Sequence, residues 1–277
     1  MTPANGKSGS TVQAADHKEM PKNFVDNEAF ASTMFEQLRL AGQVQRDFLP
    51  KFLPDTDKAR WAVTFLPAEV VSGDIYDVAR IDERHIGFYV ADVVGHGMPA
   101  ALLTIFLKHA IVTRQTLGNT YQIYSPQEVL KSLNMRMTEQ KLTSSQFISC
   151  CYCLLDIQTL ELTVARGGHP YPILIRNGSP LRLQAEGPLL GVFEDVSFEQ
   201  QTVKLQSGDK LFLYSDGAEP FLGHFDQTEG FIFEPGFCEL AALPIEKLNE
   251  QFELLLQGRQ TNASEVDDIT IVGLEIL

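Results

Sequence analysis

Val71-Ser72-Gly73-Asp74-Ile75-Tyr76-Asp77-Val78-Ala79-Arg80-Ile81-Asp82-Glu83-Arg84-His85-Ile86-Gly87-Phe88-Tyr89-Val90-Ala91-Asp92-Val93-Val94-Gly95-His96-Gly97-Met98-Pro99-Ala100-Ala101-Leu102-Leu103 is the stretch whose reading decides the fold. Alternating and β-branched residues (Tyr76, Val78, Ile81; Ile86, Phe88, Val90) flank a polar centre at Asp82-Glu83-Arg84, the pattern of two strands joined by a tight turn. A hairpin folded symmetrically about Glu83 sets Asp74 on the outgoing strand opposite Asp92 on the return. Two carboxylates meeting at the open end of one hairpin repel unless a cation sits between them. Carboxylate and water oxygens suit Mg²⁺ or Mn²⁺.

Outward from the hairpin, Trp61 to Val70 reads as a first strand, with Trp61, Val63 and Phe65 on one face. On the other side, Pro99 opens a helix. Its run Ala100-Ala101-Leu102-Leu103-Thr104-Ile105-Phe106-Leu107 continues to about Thr116 and is apolar nearly all round, so the helix is expected to be buried. Ser125-Pro126-Gln127-Glu128 starts a second helix to about Glu139. Strands are expected at Phe147–Asp156, Glu161–Arg166, Tyr171–Arg176, Phe198–Leu205, Lys210–Ser215 and Ile269–Ile276. Gly167-Gly168, Asn177-Gly178 and Ser207-Gly208-Asp209 mark turns between them. Leu243 to Leu256 reads as an amphipathic helix ended by Gly258, and Phe221–Glu239 as a surface flap. This order of strands, helices, strands, helix and strand indicates an α+β layered domain and not alternating βαβ units.

Upstream, the polar residues 1–27 read as a disordered tail. Residues 28–49 form a lead-in helix with Met34, Leu38, Ala41 and Phe48 on one stripe, stopped by Pro50. It either lies on the core or pairs with a second chain, with pairing the slightly favoured expectation. Residues 50–277 make up the folded domain.

The chain of 277 residues is 44% apolar, ample for a core, and its net charge of −14 argues against nucleic-acid or anionic-membrane partners. No apolar run approaches the roughly 20 residues of a membrane span, and the first 20 residues hold no signal-peptide core. Cys150, Cys151, Cys153 and Cys238 match no zinc spacing and read as small core residues of a reducing compartment, so the expected location is the cytoplasm.

Two further acids share the geometry of the first pair. Asp216 follows the apolar run Leu211-Phe212-Leu213-Tyr214, and Asp267-Asp268 stands directly before Ile269-Thr270-Ile271-Val272. A lone Asp at a strand end is ordinarily a turn residue. Together the strand-end acids point to a metal site.

These motifs, in this order, are similar to the SpoIIE/RsbU-type branch of the metal-dependent serine/threonine protein phosphatases, the PPM superfamily. The resemblance is carried by Ser72 to Asp77, Ala91 to Leu102, Gly168-His169-Pro170, Pro188-Leu189-Leu190-Gly191-Val192, Gly208 to Gly217 and Asp267-Asp268-Ile269-Thr270. Leu40-Ala41-Gly42-Gln43-Val44-Gln45-Arg46-Asp47-Phe48-Leu49-Pro50 resembles the helix leading into such domains. It implies a four-layer α/β/β/α sandwich of two antiparallel sheets flanked by helices, with two Mn²⁺ or Mg²⁺ ions at the sheet ends. Carried over by position, the catalytic acids are Asp92, Asp74 and Asp216. Asp92 touches both ions, Asp74 and the Val93 carbonyl hold one, and Asp216 and Asp267 hold the other, with Asp268 as the adjacent alternative to Asp267. The resemblance further implies that the helix pair after Gly97 acts as a switch on the Asp92–Val93 segment.

The implied activity is hydrolysis of a phosphoserine or phosphothreonine in a STAS-type anti-sigma-factor antagonist, within bacterial partner switching. The alternative is a catalytically weak signalling module that binds such a STAS or anti-sigma partner. Hydrolysis of a small phosphate ester is disfavoured, because neither a glycine-rich phosphate loop nor a basic pocket motif is visible. No sensor domain is recognised before residue 28, so a separate activator protein, a homodimer through residues 28–49, and the tail are the open routes of regulation. His96 and His169, each in a Gly-rich turn, are read as bonding backbone and left off the catalytic set. Departures from the family pattern are Val94, Ala218-Glu219-Pro220 and Arg166-Gly167, none of which removes a metal carboxylate.

Overall fold

The computed structural model describes residues 22–140, 146–260 and 267–277. Residues up to 37 form one unit and residues 38–277 a second, compact one. The chain opens with α1 (Lys22–Asp47), which starts ahead of the expected Glu28. No breaker lies between Pro21 and Gly42, so the helical pattern runs back to Lys22. The rest of the expected tail, residues 1–21, lies outside the described residues.

Next come β1 (Ala59–Leu66), β2 (Asp74–Arg80), β3 (His85–Val93) and α2 (Gly97–Ala110). A short hairpin follows, β4 (Arg114–Leu117) and β5 (Thr120–Ile123), then α3 (Pro126–Gln140). β6 (Ile148–Asp156), β7 (Glu161–Gly167), β8 (Ile173–Arg176), β9 (Ser179–Arg182), β10 (Gln200–Lys204) and β11 (Lys210–Tyr214) continue the chain. It closes with α4 (Glu219–Leu222), β12 (Gly223–Asp226), β13 (Gly230–Phe233), α5 (Pro235–Leu240), α6 (Ile245–Gln260) and β14 (Ile269–Ile276).

Two five-stranded sheets stack face to face, one ordered β1-β14-β11-β8-β9 and the other β10-β7-β6-β3-β2. All of their strand pairs are antiparallel. α2 and α3 cover the outer face of the second sheet, and α6 covers that of the first. This is the expected four-layer α+β sandwich. Strand periodicity explains the layering. Leu211 and Leu213 point into the core between the sheets with Trp61, Phe88, Val272 and Leu274. Their neighbours Phe212 and Tyr214 point the other way, to Ile245, Leu248 and Phe252 of α6. A strand buried on both faces reads as a continuous apolar run, as Leu211 to Tyr214 does. Cys150, Cys151 and Cys153 are buried in the core.

Four local expectations are corrected. α2 stops at Ala110 and not near Thr116, because Ile111-Val112-Thr113 is β-branched and Ile111 already has extended backbone. Gly118, at φ +62°, turns the β4–β5 hairpin instead. α2 is also not buried all round, since Leu102 is 64% exposed. α6 runs through Gly258 to Gln260, a glycine being a cost of about 1 kcal/mol to a helix and not a stop. The Phe221–Glu239 flap is half core: Phe237 is buried, with its ring 5.9 Å from Phe212 and 6.1 Å from Phe252.

The end of α1 lies on the core. Gln45 is buried, donating from Nε2 to the Ser72 carbonyl (2.7 Å) and to Thr104 Oγ1 of α2 (2.9 Å), while its Oε1 accepts the Ser72 N–H (2.9 Å). Among the described residues no helix is long and apolar enough to cross a membrane.

Candidate active site

The register of the β2–β3 hairpin pairs Asp74 directly with Asp92, the symmetry about Glu83 expected from the sequence. Both acids sit at one end of the second sheet. In the first sheet, β11 and β14 are antiparallel and pair Tyr214 with Ile271. The residues just after β11 and just before β14 therefore share an end, bringing Asp216 to Asp267 and Asp268.

Hydrogen bonds join the two sheet ends. Thr270 Oγ1 donates to Asp74 Oδ2 (2.6 Å). The Gly73 N–H donates to Asp268 Oδ2 (2.7 Å), and the Ala68 N–H to Asp268 Oδ1 (2.7 Å). Both oxygens of Asp268 thus clamp backbone on either side of the loop leading into β2. Among the described residues Asp267 accepts the N–H of its neighbour Asp268, at 2.8 Å, and the residue is exposed.

Glycines let the loops touch. A Cβ on Gly217 would lie 2.2 Å from the Asp268 carbonyl oxygen, and one on Gly73 3.1 Å from that of Val93. The Val93 N–H in turn donates to the Gly73 carbonyl at 3.0 Å.

The electrostatics record the crowding. Burial and then the Asp92 charge push the Asp74 carboxyl well above its ordinary range, against hydrogen bonds from Ser215 and Thr270. Burial, then Asp216, Asp267 and Asp268, raise Asp92 to about 7. Asp216 is raised by burial and by Asp267. The acids expected from the sequence are therefore brought together. In the present arrangement no three His, Cys, Asp or Glu side chains among the described residues stand at ligand separation around one point. Like charges hold each other apart, and a divalent cation relieves that repulsion. The donor set is all hard oxygen, which fits Mg²⁺ or Mn²⁺.

Asp92 and Asp216 open onto a cavity of about 380 Å³, also lined by Ser149, His169, Glu219, Tyr171, Arg166 and Arg182. His169 is buried, and its Nδ1 lies 2.8 Å from Ser149 Oγ. Ser149 stands on the strand beside Asp92, and the Tyr214 backbone also hydrogen-bonds the ring, so the expected backbone bond is joined by a side-chain partner. Burial, and then the Arg166 charge, lower its pKa to about 3, so the ring is neutral. His96 lies outside this cavity, 88% exposed, with Nδ1 3.4 Å from Glu69 Oε1. That contact is also to a side chain, at ion-pair distance.

The two arginines are what sequence reasoning missed. They come from β7 and β9, strands of different sheets, so no contiguous basic motif announces them. Arg166 stood in the sequence only as a departure from pattern. In the fold it donates to the His169 carbonyl (2.7 Å), the Ala185 carbonyl (3.1 Å) and Glu186 (2.9 Å), holding the His169 turn.

Comparison with known proteins agrees with this arrangement. Residues 82–277 match the family described as Stage II sporulation protein E (SpoIIE). The chain is 31% identical over 246 residues to phosphoserine phosphatase RsbU of Bacillus subtilis, covering 86% of this chain and 69% of the relative. It is 28% identical to phosphoserine phosphatase RsbP of the same organism, covering 87% of this chain and 58% of that one. The fold is similar to that of the SiaA-PP2C domain of Pseudomonas aeruginosa, with a TM-score of 0.71 at 23% identity over 89% of this chain and 98% of that one. It is also similar to the PP2C phosphatase domain of SpoIIE from Bacillus subtilis, with a TM-score of 0.59 at 19% identity over 80% of this chain and 65% of that one. The chain belongs to the SpoIIE family, in the RsbU-type branch of the PPM protein serine/threonine phosphatases.

Proposed function

We propose that the protein is a metal-dependent serine/threonine phosphatase acting on a phosphorylated STAS-type anti-sigma-factor antagonist in a partner-switching pathway of the cytoplasm. One observation carries the metal dependence: acids from both sheets meet at one cavity, where Asp92 is raised to about 7 by burial and three other carboxylates. Asp74, Asp92, the Val93 carbonyl, Asp216 and Asp267 are the groups that would hold the ions. Asp267 is preferred to Asp268 because both Asp268 oxygens already accept backbone N–H groups. Two divalent cations, when bound, lower the pKa of attacking water and neutralise charge on the phosphoryl oxygens.

The chain's own groups do the rest. Thr270 and the Asp268 clamp fix Asp74 and its loop across the sheet junction. Ser149 and neutral His169 give the cavity a polar wall beside Asp92. The apolar side chains Phe30, Met34, Phe35, Leu40 and Val44 of α1 are all exposed, which supports pairing with a second copy or an activator protein through residues 28–49. The substrate class is supported by similarity to RsbU and RsbP, both named phosphoserine phosphatases.

The test is phosphate release from a phosphoserine-bearing STAS protein by the purified chain with Mn²⁺. Turnover that needs the metal and is lost in Asp92→Asn is expected. Metal-independent turnover, or full activity in D92N, overturns the reading.

A further inference from the structure

The cavity beside the acids also holds a guanidinium with no carboxylate partner. Arg182 ends β9, the edge strand of the sheet whose β11 leads into Asp216. Its Cζ lies 4.6 Å from the centre of the Tyr171 ring and 4.4 Å from that of Phe231 on β13. The Arg182 Nε is buried without a hydrogen-bond partner, and among the described residues the side chain makes no ion pair. Arg166 in the same cavity is fully engaged, with two carbonyls and Glu186. Tyr171 donates to Glu186 as well, so its ring is fixed under Arg182.

An unpaired buried donor is costly, by about 1–3 kcal/mol. The Tyr171 and Phe231 rings recover part of that, and no hydrogen bond of the terminal guanidinium N–H groups is seen among the described residues. Glu219 shares the cavity and feels the Arg182 charge, but it forms no ion pair with the guanidinium among the described residues. A planar fork held flat by two rings suits bidentate donation to a phosphoryl or carboxylate group, and less of its freedom is lost on binding. The cavity of about 380 Å³ leaves room for such a group next to Asp92 and Asp216.

We propose that Arg182, clamped between Tyr171 and Phe231, is the phosphate-recognition residue of this cavity, donating to the non-reacting oxygens of the substrate's phosphoryl group. This rests on the phosphatase reading above. It gives a site built of carboxylates the positive group needed to attract a dianionic ester. It also assigns work to the β12–β13 hairpin, which supplies Phe231 as one jaw of the clamp.

The probe is inorganic phosphate, the product, titrated calorimetrically into the Mn²⁺-loaded chain and its variants. Arg182→Ala is expected to weaken phosphate about 10–100-fold, the loss of one or two charge-assisted hydrogen bonds. KM for the phosphoprotein rises with it, while kcat and Mn²⁺ affinity change far less. Arg182→Lys keeps the charge but not the fork and recovers only part. Phe231→Leu shifts phosphate affinity in the same direction by a smaller factor. Should Arg182→Ala fail to fold, Arg182→Gln is read on the same titration. Phosphate affinity within twofold of wild type in these variants, or no phosphate binding by the wild type, overturns the proposal. Turnover of D92N decides the phosphatase reading separately: loss of turnover beside unchanged phosphate affinity in R182A leaves that reading standing and removes Arg182 alone.

Discussion

Gly217→Ala is the smallest change that parts the two sheet ends. Gly217 follows Asp216 directly and has no left-handed φ, so alanine fits its backbone without strain. The obstacle is steric alone. The new Cβ would lie 2.2 Å from the Asp268 carbonyl oxygen and 3.2 Å from Asp267 Cβ. Real carbon–oxygen contacts need about 1 Å more, and the neighbour is backbone, pinned by the Ala68 and Gly73 N–H groups. The Asp216 loop must therefore withdraw by about 1 Å from the Asp267–Asp268 loop. Overpacking of this kind costs about 1–3 kcal/mol of stability. A displacement of about 1 Å at a reacting centre costs about 100-fold in rate. The assay is kcat/KM for Mn²⁺-dependent phosphate release, beside Mn²⁺ titration and urea denaturation. Gly236→Ala, where no atom lies within 4 Å of the new Cβ and φ is ordinary, is the control and should match wild type. A folded G217A with kcat/KM within threefold of wild type and unchanged Mn²⁺ affinity would refute the claim that close approach of these loops builds the site.

Asp267→Asn should leave urea stability within about 1 kcal/mol and weaken Mn²⁺ tenfold or more, whereas Asp268→Asn sets an amide against a backbone N–H and should cost about 1.5–3 kcal/mol. The reverse pattern would transfer the ligand role to Asp268. In metal-free protein, Asp92 has its folded pKa raised from 3.8 to about 7, so its contribution to stability is complete below pH 4 and is lost as pH rises through 7. Denaturation at pH 5 and pH 8 should show wild type losing more than D92N, by up to about 1.4 kcal/mol per pH unit within that window; parallel losses would contradict the crowding of the acids. Gln45→Ala strands the buried Ser72 N–H and carbonyl and should destabilise the chain by about 2–3 kcal/mol in the same assay, and a loss below about 0.5 kcal/mol would show that α1 does not anchor the Asp74 loop.

The sequence was most legible where one local rule governed. The β2–β3 hairpin has one centre that places its apolar residues correctly, and that centre fixed Asp74 against Asp92. The continuous apolar runs at Leu211 and Ile269 announced strands, and the order of elements an α+β layered domain, while the four-layer sandwich came from the family resemblance. Asp216, Asp267 and Asp268 were visible because each is an acid at the end of such a run. Their convergence rests on antiparallel pairing of β11 with β14, which no local signal states. Competing signals explain the misses. The apolar run of α2 masked the β-branched Ile111-Val112-Thr113, although Gly118-Asn119 marked the hairpin beyond. Phe237 was hidden in a Gly-rich stretch that looked like surface. Arg182 was invisible for a different reason: its meaning comes from Tyr171 and Phe231, which only the folded chain sets around it.

The central claim is that carboxylates from both sheets cradle divalent cations at one end of the sandwich. Crystals grown with Mn²⁺ and measured at the manganese absorption edge test it most directly. Two anomalous peaks are expected on either side of Asp92, one beside Asp74 and the Val93 carbonyl and the other beside Asp216 and Asp267. Manganese bound elsewhere, with no peak among these side chains, would contradict it.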